Sequence, residues 1–200
     1  GGRDLSTEIG GISMIDGIRA LDADPETKVI FVVSKPPAEE VADRVLAAAG
    51  AASKPVIVTF LGSKRTESGY DNVQIVPGTK PAAIAAVVAS GIDESTLDKH
   101  PLNLPLVAEV RAKLQPSQKY IRGLFCGGTL CDEAMFAAIE KLEGVYSNIQ
   151  KDPSKVLAAT EASKEHTFLD MGDDDFTNGR PHPMIDPSLR LARIVEEAKD

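Results

Sequence analysis

Apolar residues at Ile12, Ile15, Ile18 and Leu21 recur at helical spacing, and the Asp24-Pro25 pair closes the stripe, which predicts a helix over 12–21. The next run changes period. Within Lys28 to Val33, the stretch Val29-Ile30-Phe31-Val32-Val33 is apolar without alternation, the pattern of a strand covered on both faces of a parallel sheet. Pro37 suits a first helical turn, Glu39 and Glu40 favour its positive end, and Val41, Val45 and Leu46 supply a buried stripe, so a helix should run to about Gly50. Pro55 to Gly62 reads as a second buried strand, Val73 to Val76 as a short third, and Lys80 to Ser90 as an Ala-rich helix. Strands alternating with helices predict a doubly wound unit.

From Ile92 to Gln118 the pattern weakens. Pro101, Pro105 and Pro116 bracket a short apolar helix, Leu106 to Leu114, and residues 99–118 read as a connector. A second unit then repeats the grammar: strand Tyr120 to Phe125, turn Cys126 to Thr129, helix Leu130 to Leu142 with Thr129 as its cap, and strand Thr167 to Met171. A long polar loop, Met171 to Asp186, leads to a helix over Leu189 to Lys199, with Asp186 and Pro187 as cap and first position and Leu191, Ile194, Val195 and Ala198 as its apolar face. The expected fold class is α/β, doubly wound parallel sheets in two units, the second incomplete. The chain opens without a Met and stops on a helix end, so it is expected to need the remainder of a longer chain.

Composition narrows the function classes. Thirty acidic against 22 basic residues give a net charge of -8, which opposes non-specific attraction to nucleic acid and to anionic membrane. No apolar run approaches the roughly 20 residues needed to cross a bilayer, and no signal-peptide pattern is present, so a cytoplasmic protein without nucleic-acid or membrane partners is expected. The two cysteines, Cys126 and Cys131, lack the companions of a structural zinc site and read as reduced thiols.

Four segments carry candidate chemistry. In GGRDLSTEIGG, Gly1-Gly2 and Gly10-Gly11 flank Arg3, Asp4 and Ser6 ahead of a helix. Such backbone either presents N–H groups to an anion or forms a tight turn and cap. Ser34 and Lys35 stand at the C-terminal end of a strand, where open α/β sheets place ligands. Gly127, Gly128 and Thr129 repeat that geometry in the second unit, and Cys126 beside them is a candidate nucleophile, although no histidine neighbours it in sequence. The loop MGDDDFTNGRPHPMIDP is the densest. Pro181 and Pro183 frame His182, Arg180 offers a permanent cation, and Asp173, Asp174 and Asp175 either hold Mg²⁺ or orient the imidazole. The alternative is an acidic surface loop with a rigid turn. His100 and His166 lie in polar surroundings and carry no role.

Together, GGRDLSTEIGG, the Val-Ser-Lys-Pro-Pro strand end, Cys-Gly-Gly-Thr-Leu and FLDMGDDDFTNGRPHPMIDP resemble the FdrA family along the whole chain. That resemblance implies fused CoA-ligase domains like those of succinyl-CoA synthetase, of flavodoxin-like type. Residues 1–98 would be the α-type domain and 119–200 the first part of the β-type domain, with a CoA-binding-like domain lying outside this chain. It also implies CoA, a nucleotide (ATP or ADP) and Mg²⁺ as cofactors, a small anionic substrate, and a homo- or hetero-oligomer. Synthetases of this kind form a phosphohistidine between two helix N-termini, here those beginning near Pro37 and Thr129, expected to share a cleft. Residues 62–78 contain no histidine, a departure from the synthetase pattern, so His182 and Arg180 become the catalytic candidates. Family members are also connected with oxamate carbamoyl transfer, in which oxalurate and phosphate give oxamate and carbamoyl phosphate. The sequence therefore leaves three readings: an acyl-CoA synthetase-like enzyme, a carbamoyltransferase component, and a non-catalytic scaffold subunit.

Overall fold

The apolar run near Val29–Val33 forms β1 (Ile30–Ser34), which pairs in parallel with β2 (Val56–Phe60), and β2 pairs in parallel with β3 (Val73–Ile75). The structure, a computed structural model, describes residues 3–97 and 101–199. It divides into two units, Gly1–Asp98 and Lys99–Asp200. In the first, β2 is central and buried at every position, as a strand without polar alternation requires. Helices α1 (Ile12–Ala23) and α2 (Glu39–Gly50) supply Ile15, Ile18, Val41, Val45 and Leu46 to a core with Ile30, Val32, Val56 and Val58. Helix α3 (Thr79–Ala89) packs on β1 and β2 with Ala82 fully buried. These elements match the predicted order.

In the second unit β4 (Arg122–Phe125), β5 (Val145–Ser147) and β6 (His166–Asp170) form a parallel sheet in the order β4-β6-β5. Helix α4 (Leu104–Lys113) precedes it, exposed along its whole length as a connector would be. Helix α5 (Gly128–Ile139) buries Cys131, Met135 and Ala138 against Val145 and Phe168. Three elements of this unit were not anticipated: β5, a 3₁₀ turn over Pro153–Lys155, and α6 (Asp174–Thr177), a single turn inside what reads as loop. Helix α7 (Ser188–Glu197) ends the described chain, and His166 Nδ1 accepts a hydrogen bond from the Ile121 N–H, a structural role.

Helix α7 corrects an expectation. Leu191, Ile194, Val195 and Ala198, predicted as its apolar face, are exposed, whereas Arg193 is buried. The cause is a polar clamp. Arg193 Nε donates to Glu197 Oε1 at 2.6 Å and its two terminal nitrogens to the Glu161 carbonyl at 3.1 Å. Arg122 Nε, on β4, donates to Glu197 Oε2 at 2.7 Å. Paired and hydrogen-bonded charges overrule the apolar periodicity.

Candidate functional site

The glycine-rich segment of the first unit is explained by packing. Gly10 and Gly11 have φ of 74° and 78°, and a Cβ on either would meet Arg44 or Val41 and Val45. Only glycine fits there. The Asp4 carboxylate accepts from the Ser13 N–H at 2.9 Å and the Met14 N–H at 3.0 Å, so it occupies the α1 N-terminus where an anion was expected. Those backbone bonds, Ser13 first, hold its pKa below the ordinary value. Arg3 is exposed, and the Ser6 hydroxyl is buried without a hydrogen bond among the described residues. Gly1 and Gly2 lie outside the described residues.

At the end of β1, the Ser34 hydroxyl donates to the Lys35 carbonyl at 2.7 Å, so it is engaged locally. The α2 N-terminus has no side-chain cap and carries Glu39 and Glu40 in its first turn. Arg65 reaches Asp43 there at 2.7 Å. Negative side chains already answer that helix's positive end.

The second unit concentrates its polar chemistry differently. Parallel pairing sets Phe125 beside Asp170, and the Met171 N–H donates to the Phe125 carbonyl at 2.8 Å. The turns that leave β4 and β6 therefore run side by side. Asp170 is buried; its carbonyl accepts from Asn148 Nδ2 at 3.0 Å and its carboxylate from the Gly172 N–H at 3.0 Å. Gly172 is the meeting point. A Cβ there would stand 2.7 Å from His182 Nε2, 3.2 Å from Asp170 Oδ1 and 3.2 Å from the Cys126 carbonyl carbon. His182 is half-buried, and its Nδ1 accepts from the Met184 N–H at 3.2 Å. A lone pair committed at Nδ1 puts the proton of the neutral ring on Nε2, the nitrogen facing Gly172.

The turn after β4 differs from expectation in one detail. Gly127, not Thr129, is the N-cap of α5, no side chain caps it, and Gly128 and Thr129 lie in the first turn. Arg190, on the first turn of α7, donates from Nη1 to Cys126 Sγ at 3.1 Å. Asp170, Gly172, Asn148 and Arg190 were missed in the sequence. Asp170 was hidden as the end of an apolar strand and Arg190 as the polar face of a helix.

The aspartate run does not converge. Asp173 caps α6 by accepting from the Asp175 N–H at 3.2 Å, and Asp174 and Asp175 are exposed. Among the described residues no group of three or more His, Cys, Asp and Glu is placed to hold a metal. Arg180 is exposed and lines two clefts, of about 420 and 280 Å³, with Leu189 and Ala192; Asp175 and Asn178 border the larger. Asp186 accepts from the Ser188 N–H at 3.0 Å, but Pro187, expected as the first helical position, is the N-cap of α7, and no side chain caps it. Among the described residues no helix is long and apolar enough to cross a membrane.

Comparison with known proteins finds matches in both units. Residues 124–200 match the family model described as CoA-ligase. Residues 1–62 match the model described as CoA binding domain, which puts such sequence within this chain, against the expectation that it lies outside. The chain is 58% identical over 200 residues to "Uncharacterized protein YahF" of Escherichia coli (strain K12) and spans 39% of that relative's length. The chain is thus similar to YahF along its whole length, and to the CoA-binding and CoA-ligase models over those two stretches.

Proposed function

We propose that this chain is part of an acyl-CoA synthetase-like enzyme of the succinyl-CoA ligase superfamily, of the FdrA kind, that handles an acyl phosphate at the ends of β4 and β6. The observation that carries the reading is the convergence of His182 Nε2, the Asp170 carboxylate and the Cys126 main chain on Gly172. The CoA-ligase match covers the same stretch. In this reading residues 1–98 are an α-type domain that includes the CoA-binding match at 1–62, and 119–200 the start of the β-type domain, working with the rest of the chain in an oligomer.

The ring's hydrogen bonding selects among roles for His182. With Nδ1 accepting from Met184, neutral Nε2 bears a proton and has no lone pair to attack phosphorus. It is a hydrogen-bond donor toward a phosphoryl or acyl oxygen, stabilising negative charge there without giving up its proton. The backbone N–H groups of Gly128 and Thr129 receive the anion. CoA, when bound, supplies the thiol that takes up the acyl group. Mg²⁺ does not fit the aspartate run, because Asp173 is engaged as a cap and no set of carboxylates closes around a common point. No step is assigned to it.

A second reading is oxamate carbamoyl transfer, in which phosphate cleaves oxalurate to carbamoyl phosphate and oxamate. Two observations favour it over a phosphohistidine relay: residues 62–78 lack histidine, and the His182 tautomer disfavours phosphorylation at Nε2. Full-length protein with its partner subunits separates the readings. CoA-dependent nucleotide cleavage supports the first, phosphate-dependent oxalurate cleavage supports the second, and neither activity removes both.

A further inference from the structure

In the second unit β4 pairs with β6 alone, among the described residues, and forms one edge of the sheet. The Ile121 and Phe125 carbonyls accept from the Thr167 and Met171 N–H groups at 3.0 and 2.8 Å, so residues 121, 123 and 125 face β6. Backbone groups alternate sides along a strand, which turns the N–H and C=O of Arg122 and Leu124 to the side without a neighbour. Stable proteins usually blunt such an edge with charge, proline or a bulge. Here β4 reads Arg-Gly-Leu-Phe, and its one charge is drawn to Glu197. All four residues are only half-buried, whereas β6 is buried at four of its five.

Helix α7 lies along that edge. Arg190 Nη1 donates to Cys126 Sγ at 3.1 Å and Arg122 Nε to Glu197 Oε2 at 2.7 Å, which ties both ends of the helix over β4. Ala192 and Glu196 border the 420 Å³ cleft with Ala159 and Met171, on the side of β6. With about 3.6 residues per turn, the opposite flank of α7 carries Leu191, Ile194 and Ala198. Leu191 is 59% exposed and Ile194 45%. This apolar flank overhangs the free edge of β4, and the described residues supply nothing to cover it.

The handedness of the connections selects what belongs there. Helix α5, which packs with Phe168, carries the chain from β4 across to β5 on one face of the sheet. Leu189 of α7 packs with Leu169 and Ala159 on the other face, the one used by the connection from β5 to β6. Crossovers between parallel strands are right-handed in about 98% of cases, so connections on opposite faces advance in opposite directions. The connection through α7 therefore runs from β6 past β4, to the vacant position beside its free edge. The Escherichia coli relative matches all 200 residues and is more than twice as long, so it has chain to spare for a further strand.

We infer that the free edge of β4 and the overhanging flank of α7 are the seat for a strand from the segment that follows residue 200 in the longer chain, paired parallel to β4. Because α5 and α7 lie on opposite faces, the crevice between β4 and this strand is a switch point of the sheet, and the loop after the strand borders the Cys126–Thr129 turn. The candidate site takes its second wall from that segment. The inference stands on topology and is independent of the acyl-CoA chemistry proposed above.

The test uses the full-length chain. Hydrogen exchange resolved to single amides reads the edge without any substitution. The amides of Arg122 and Leu124 should be protected as well as those of Gly123 and Phe125, which face β6, and fast exchange at the first pair alone overturns the seat. p-Benzoylphenylalanine in place of Leu191, and separately of Ile194, then identifies the occupant. Light and isotope-heavy chains are mixed in urea and refolded together before irradiation, and the expected adduct joins either position to a peptide beyond residue 200 of the same chain. Adducts that join a light to a heavy chain reveal a second copy, adducts to residues 1–200 reveal a contact within this region, and no adduct at either position reveals an open surface. Each of these three results overturns the inference. Should both substituted chains fail to fold, the exchange of Arg122 and Leu124 in the unmodified protein decides it.

Discussion

His182 Nδ1 accepts a hydrogen bond from the Met184 backbone N–H, 3.2 Å away and only two residues on. Its own carbonyl accepts from the N–H groups of Ile185 at 2.8 Å and Asp186 at 3.0 Å. Ring and main chain are thus fixed by one tight turn, and Pro181 and Pro183 restrict the backbone on either side. The direction of Nε2 is built in locally, before any substrate arrives.

That geometry makes asparagine an informative replacement. Asn carries a side-chain oxygen close to where Nδ1 lies, so His182→Asn keeps an acceptor for Met184 but has nothing in place of Nε2. The melting temperature should stay within a few degrees, and turnover in the full-length enzyme should fall by about 100-fold, the scale of a lost oxyanion donor. Turnover equal to wild type would show that Nε2 does no chemistry.

Gly172→Ala tests the convergence from the other side. The added methyl would press on His182 Nε2 at 2.7 Å, and on the Cys126 carbonyl carbon at 3.2 Å, where backbone cannot yield cheaply. Overpacking of this kind costs about 1–3 kcal/mol. Both melting temperature and turnover should drop, unlike in His182→Asn. An alanine variant with full activity would mean that the three groups do not share a functional point.

Much of the fold could be read from hydrophobic period. The unbroken Val29–Val33 run and the Pro55–Gly62 run became paired parallel strands because burial on both faces leaves no position for polar alternation. Strand β5 escaped notice because Val145-Tyr146-Ser147 shows neither the apolar run of β2 nor the apolar-polar-apolar alternation of the equally short β3. The α7 face was misjudged because spacing cannot see that Arg193 will be drawn inward by Glu197 and the Glu161 carbonyl. The site was legible only in part. His182 stood out through its prolines, but Asp170, Gly172 and Arg190 join it through parallel strand pairing and helix packing, which bring residues 64 apart, such as Cys126 and Arg190, into contact.

At the first unit's N-terminal loop, Asp4 should behave as a cap rather than a ligand. Asp4→Ala removes the acceptor for two α1 amides, so hydrogen exchange should accelerate at Ser13 and Met14 while core amides of β2 change little. Binding of phosphate by wild-type residues 3–11, seen as slowed exchange at those amides, would instead return the segment to the list of anion sites.

The clamp on α7 gives a pH dependence whose sign follows from Glu197. Burial alone would raise its pKa, but the Ser163 hydroxyl at 2.5 Å, Arg193 and Arg122 outweigh that and hold it below its ordinary value of 4.5. A carboxyl whose folded pKa is depressed contributes stability that is fully present above the unfolded value and is lost as pH falls through the folded one. The contribution should therefore be constant near neutrality and decline below about pH 4.5. Glu197→Gln leaves the guanidinium groups of Arg193 and Arg122 without their anion, at a cost of about 1–3 kcal/mol for buried donors left unsatisfied. Urea unfolding of the two proteins from pH 7 to pH 3 isolates the effect, because every other carboxylate titrates in both. The variant should be less stable at pH 7, and the gap should close as wild-type Glu197 becomes protonated. A gap of constant size across that range would mean that shape, and not charge, is what Glu197 contributes to the clamp.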